Sequence, residues 1–146
     1  GSATYGGTAL IALDAPAAGG VASEVIGSAT VTADFAAATV SGSADGFHGT
    51  VNGGEVVAYE GEVFLSLGTI DASGTGNQIS ASADGVLQGG GDTLVIDGTM
   101  TGNFLGDPGL LSNPPDAIAL EEGTGTEFTL NGETITGGME VIAVLP

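Results

Sequence analysis

The chain is expected to be all-β, a single antiparallel up-and-down barrel of roughly eight strands spanning residues 1–146. Three observations lead there. In Thr93–Phe104, TLVIDGTMTGNF, the residues Leu94, Ile96, Gly98, Met100, Gly102 and Phe104 fall on one side of an extended chain. Thr93, Asp97, Thr99, Thr101 and Asn103 fall on the other, and only Val95 breaks the pattern. That period of two marks a strand with one dry and one wet face. Second, the chain holds 28 glycines, and each inside a helix costs roughly 1 kcal/mol against alanine. Third, hydrophobic residues make up 42% but aromatics only 5%, so the core is built from small side chains that suit a tightly curved sheet. The two glycines on the dry face of Thr93–Phe104 leave holes that fit a strongly bent strand.

The other elements follow in order. Ala3–Leu13 places Tyr5, Gly7, Ala9, Ile11 and Leu13 on one face and ends at Asp14-Ala15-Pro16. Glu24–Phe35 alternates Ala29, Val31, Ala33 and Phe35 against Ser28, Thr30, Thr32 and Asp34. A tight connection at Ala36-Ala37 leads to Ala38–Ala44, and Asp45-Gly46 is a turn dipeptide. Phe47–Gly54 is a loop or a partial strand. Val57–Leu67 sets Tyr59, Gly61, Val63, Leu65 and Leu67 inward against Glu60, Glu62 and Ser66. Asn77–Asp84 repeats the alternation, and Gly89-Gly90-Gly91-Asp92 turns into Thr93–Phe104. Asp107–Asp116 is a long irregular loop with three of the five prolines. Ala117–Leu120 and Thr126–Leu130 form one broken strand or two, Asn131-Gly132 is a hairpin signal, and Ile135–Leu145 closes the chain. Short connections in sequence order describe a meander, and closing it removes exposed edges.

Charge narrows the function. There are 18 Asp and Glu, one His and no Lys or Arg, a formal net charge of −18. Phosphate contact rests on Lys and Arg, so nucleic-acid binding is excluded, as is attraction to an anionic membrane surface. Trypsin-like proteases find no cleavage site, which suits an exposed surface protein. Basic partners or divalent cations remain open. Cysteine is absent, so neither disulfides nor thiolate metal sites contribute. No run is long enough for a transmembrane helix, and the chain is expected to be secreted by a signal peptide outside this sequence.

Four segments carry a family resemblance. They are Ala3-Thr4-Tyr5-x-Gly7, then Thr32-Ala33-Asp34-Phe35 running into Thr39-Val40-Ser41-Gly42. Thr99-Met100-Thr101-Gly102-Asn103-Phe104-x-Gly106 follows, and Gly137-Gly138-Met139 closes after Gly123–Thr126. In this order they resemble the β-barrel domain of transferrin-binding protein B and related bacterial surface lipoproteins. The resemblance implies an eight-stranded barrel at the outer cell surface, in a family whose members bind transferrin, haem-carrying proteins or complement regulators. The sequence lacks the family's N-terminal cysteine and second handle domain, and has none of the Lys or Arg that binding loops use. Transferrin binding and the family's binding residues therefore do not carry over.

Candidate chemistry is sparse. His48 is the one imidazole, either a haem or metal ligand, a partner contact, or a plain surface residue. Gly89–Leu94 resembles one turn of a calcium-binding nonapeptide, although that motif works by stacking; the alternative for Asp92 is a turn cap. Glu121 and Glu122, with Asp107 and Asp116, either hold calcium or form a solvated acidic loop. Leu110 and Leu111, framed by prolines, either cap one end of the barrel or touch a partner. No G-x-S-x-G elbow, P-loop or cysteine nucleophile occurs, and no Lys or Arg is present to stabilise an oxyanion, so an enzyme is not expected. Glu60 and Glu62, two apart on one strand face, are ordinary outward decoration rather than a glycosidase pair.

Two functions stay in view. One is a non-catalytic extracellular module that binds a protein or small ligand, with a role in haem or iron acquisition among the family's implications. The other is a self-assembling subunit of a filament, surface layer or matrix, in which a terminal strand, Ala3–Leu13 or Ile135–Leu145, pairs with a neighbouring copy. Both must contend with unneutralised carboxylates. The melting temperature is expected to rise as pH falls from 7 towards the isoelectric point near 4.1, or as salt is added. A melting temperature insensitive to both, followed by circular dichroism, would mean that bound cations already pair the carboxylates.

Overall fold

The alternation of Thr93–Phe104 becomes strand β7 (Asp92–Leu105), with Leu94, Ile96, Met100 and Phe104 buried and Asp97, Thr101 and Asn103 exposed. The computed structural model describes residues 1–14, 23–50, 54–71, 78–105 and 114–146. Before β7 come β1 (Ser2–Leu13), β2 (Ser23–Asp34), β3 (Thr39–Thr50), β4 (Val57–Ala58), β5 (Glu60–Asp71) and β6 (Gln78–Gly89). After it come β8 (Ala117–Glu122), β9 (Glu127–Leu130), β10 (Glu133–Ile135) and β11 (Gly137–Val144). Three pairs are single runs with a break. Tyr59 separates β4 from β5 by donating its N–H to the Phe47 carbonyl at 2.8 Å. Residues 123–126 divide β8 from β9, and Thr136 divides β10 from β11. The result is a closed eight-stranded antiparallel meander.

Closure is made by β1 and β11, paired from Gly6↔Val144 to Leu13↔Gly137. Both terminal strands are therefore occupied within the chain, and neither offers the free edge that strand addition requires. The register also fixes the width. Paired residues lead once around from Ser2 through Asp34, Thr39, Thr69, Ser80, Thr101, Glu121 and Glu140. The path returns to β1 at Leu10, eight residues further along the strand. Eight strands with a displacement of eight tilt by about 36° and enclose a space that side chains fill.

Small residues take the middle of that space. Ala9, Ala29, Ala44, Ala81, Ala83 and Ala143 are buried beside Val31, Val63 and Val141. Larger groups plug the ends. At one end Phe104 stacks at a tilt on Tyr5 and Phe35, with ring centroids 6.1 and 5.5 Å apart, and the Tyr5 hydroxyl donates to the Pro115 carbonyl at 2.8 Å. At the other end Phe47, Tyr59, Leu87, Leu94 and Phe128 are buried. Among the described residues Ser23 is the sole buried polar one, and no buried side-chain polar atom lacks a partner. Outward positions are mainly Ser, Thr, Asp and Glu. That polarity is the reverse of a lipid-spanning barrel, which is apolar outside.

Two segments depart from expectation. Asp45-Gly46 is no turn: β3 runs through it to Thr50, and the register against β2 shifts by one residue there. Gly46, at φ 64°, supplies the left-handed conformation of a bulge. The extra residue resets the alternation, so that Ala44 and Phe47, three apart, both point inward. The second departure is Leu67. Alternation placed it inside, but a bulge between Ser66 and Thr69 turns Gly68 inward and leaves Leu67 88% exposed at φ 52°. A β-branched or bulky residue with positive φ is an outlier.

Gly102 corrects another expectation. It leaves no hole, since a Cβ there would strike the Ala119 carbonyl oxygen of β8. The glycine admits the neighbouring backbone instead. Gly102→Ala should therefore destabilise by about 3 kcal/mol through overpacking. Leu67→Gly should stabilise by about 1 kcal/mol, because it removes left-handed strain and gives up little burial. Urea unfolding of both variants checks the opposite signs.

Candidate functional site on the outer face of β5, β6 and β7

A packed interior leaves the outside as the place where chemistry differs from strand to strand. The register orders it in rows. Crossing from β5 to β9, one row reads Glu62, Val86, Val95 and Thr129. The next reads Phe64, Asp84, Asp97 and Glu127. Phe64 is 53% exposed and Val86 48%, two apolar side chains set among the carboxylates of Glu62, Asp84 and Asp97. With Val95 they line a shallow open groove together with Glu62, Asp84 and Asp97. Leu67 projects from the same strand as Phe64.

Two of the carboxylates in this groove stand opposite each other. Asp84 and Asp97 face each other directly across β6 and β7, where like charges destabilise a sheet. Lost hydration, then a hydrogen bond with Asp97, then the charge of Asp97 hold the Asp84 carboxyl above the ordinary carboxylate range. Elsewhere, burial first and then Asp116 push the Tyr5 phenol up, and burial and then Asp92 do the same for Tyr59.

The residues singled out in the sequence are dispersed. His48 lies exposed on β3, opposite Ile26 and Ala58, with Nδ1 3.3 Å from the Gly46 carbonyl. Asp92 joins two turns: its carboxylate accepts the Asn131 amide Nδ2–H at 2.8 Å, while Asn131 Oδ1 accepts the Thr93 N–H at 2.8 Å. It caps a neighbouring turn across the sheet. Glu121 points outward from β8 opposite Glu140. Glu122 accepts the Met139 N–H at 3.0 Å and so holds the β8–β9 break against β11. Among the described residues no group of three or more His, Cys, Asp or Glu is placed to hold a metal ion. Asp107, Leu110 and Leu111 lie outside the described residues. Phe64 and Val86 were missed, although each sits at an outward phase of its strand. Val95, the one misfit in Thr93–Phe104, was the available signal.

Comparison with protein-family models, with curated proteins and with solved structures finds no match to this chain.

Because the Asp84 carboxyl is raised in the folded state, its contribution favours folding below the unfolded pKa and is lost as pH rises through the folded one. Asp84→Asn should thus stabilise the protein at pH 7, by about 0.2–1 kcal/mol for removing a like-charged cross-strand pair. The gain should shrink towards pH 4 and below. Thermal melts of both proteins across that range check it; a gain that is constant with pH would mean packing, not charge, is responsible.

Proposed function

We propose that this chain is a non-catalytic binding module that acts outside the cell and engages a protein partner with the outer surface of its barrel. One observation carries the reading. The interior is filled by the chain's own apolar side chains, whereas Phe64 and Val86 stand half exposed among carboxylates on the outside. The family resemblance read from the four sequence segments adds an extracellular setting. Any haem- or iron-related partner of the kind that resemblance implies would also have to be met on the outer surface or at the loops. The lone imidazole, His48, is exposed on β3 and does not line the groove, which supports a non-catalytic role.

A second reading, self-assembly into an extracellular polymer, is favoured by a different patch. Ile142 and Val144, 54% and 52% exposed on β11, continue across Ala117 of β8 to exposed Leu105 of β7. Copies would meet there through apolar faces, with salt screening the net charge.

Light scattering with negative-stain imaging separates the two. A monomer near 14.0 kDa, with and without millimolar calcium, is expected of the binding module. Filaments or large regular particles would replace that reading with the second.

A further inference from the structure

The row Asp84, Asp97 and Glu127 spans three adjacent strands, β6, β7 and β9. Strands stand about 4.8 Å apart, so the three carboxylates form a ladder at that spacing, with Phe64 at its end and Val86 and Val95 along its flank. The chain carries no Lys or Arg to neutralise it, against 18 acidic residues. A second copy would bring only more carboxylates. A single metal ion is a poor occupant as well, since the described acidic groups do not converge on one point. The surface calls for cations at regular intervals beside apolar side chains.

An α-helix provides that arrangement. Residues three and four apart stand about 5–6 Å from each other on one helix face, close to the strand spacing. A row of Lys or Arg can then follow the ladder while the adjacent helical row packs on the apolar strip. Resting on the binding-module reading above, we propose that the outer face of β5, β6, β7 and β9 docks a basic amphipathic helix of a partner protein. Its Lys or Arg residues lie over Asp84, Asp97 and Glu127, and its apolar residues lie against Phe64, Val86 and Val95. Docking would bring positive charge to the Asp84–Asp97 pair and remove its mutual repulsion. The apolar strip sets the helix's rotation, since charge alone would tolerate any acidic part of the barrel.

The probe is a synthetic helical peptide of about 18 residues, long enough to hold helix, with Lys and Leu in adjacent helical rows. A control peptide replaces every Leu by Ser and keeps the charge. Titrated into isotope-labelled protein, the Lys–Leu peptide should shift amide resonances chiefly at Phe64, Asp84, Val86, Val95, Asp97 and Glu127. The double variant D84N/D97N should bind about tenfold more weakly. The charge-matched variant E24Q/E140Q, altered on other strands, should lose less than about twofold. Phe64→Ser, checked by its melting curve to be folded, should also weaken binding about tenfold. Shifts spread evenly over the barrel would overturn the proposal, as would equal losses in the two double variants or equal binding of the Lys–Ser control. A monomeric protein with shifts elsewhere sinks this surface alone; particles in solution sink the binding-module reading itself.

Discussion

The constraint on which the rest depends is the displacement of eight residues on going once around the barrel, from Ser2 to Leu10. Strand number and stagger together set tilt and diameter, and the diameter sets which side chains fit. An alanine-rich middle with aromatic ends is what such an interior accepts. The same constraint governs the glycines, because close approach of neighbouring backbones at Gly102 leaves no room for a methyl group. With the inside consumed by packing, recognition is left to the surface.

The bulges are how a period-two sequence accommodates that geometry. At Gly46 an extra residue changes the phase of β3 in mid-strand, and at Leu67 the same device changes the phase of β5. Each adds local twist where the sheet must curve. One uses glycine and carries no strain from its φ. The other uses leucine and does, and it sets Leu67 out into solvent.

Most of the fold was legible because alternation survives in nearly every strand. Val25, Ala29, Val31 and Ala33 announce the inward face of β2 without help from tertiary structure. What misled was local chemistry with two meanings. Asp-Gly fits a hairpin turn and a bulge equally, and only the buried Phe47 beyond it decides between them. The candidate site was far less legible. The carboxylates of Asp84, Asp97 and Glu127 are separated along the chain and meet only through register, which no single strand encodes. Asp92 was noticed for its glycines, whereas its partner, Asn131, comes from another hairpin. Phe64 lay hidden between two inward residues, where a lone outward aromatic draws no attention.

The pairing of β1 with β11 joins the two most distant parts of the chain, whereas the other seams join strands close in sequence. Bringing such remote segments together carries the largest loop-closure entropy, although that term grows only slowly with length. Hairpins can form locally, but the seam has to wait for all of them, and contacts of this separation slow folding. With that seam open, the sheet would be a ribbon whose outermost strands, β1 and β11, present unpaired amides and carbonyls. Lysine, the usual guard of such edges, is missing from this chain. The ribbon therefore relies on the mutual repulsion of its acidic copies, and on prompt closure, to remain solitary. High salt during refolding weakens the first of these safeguards and leaves only the second.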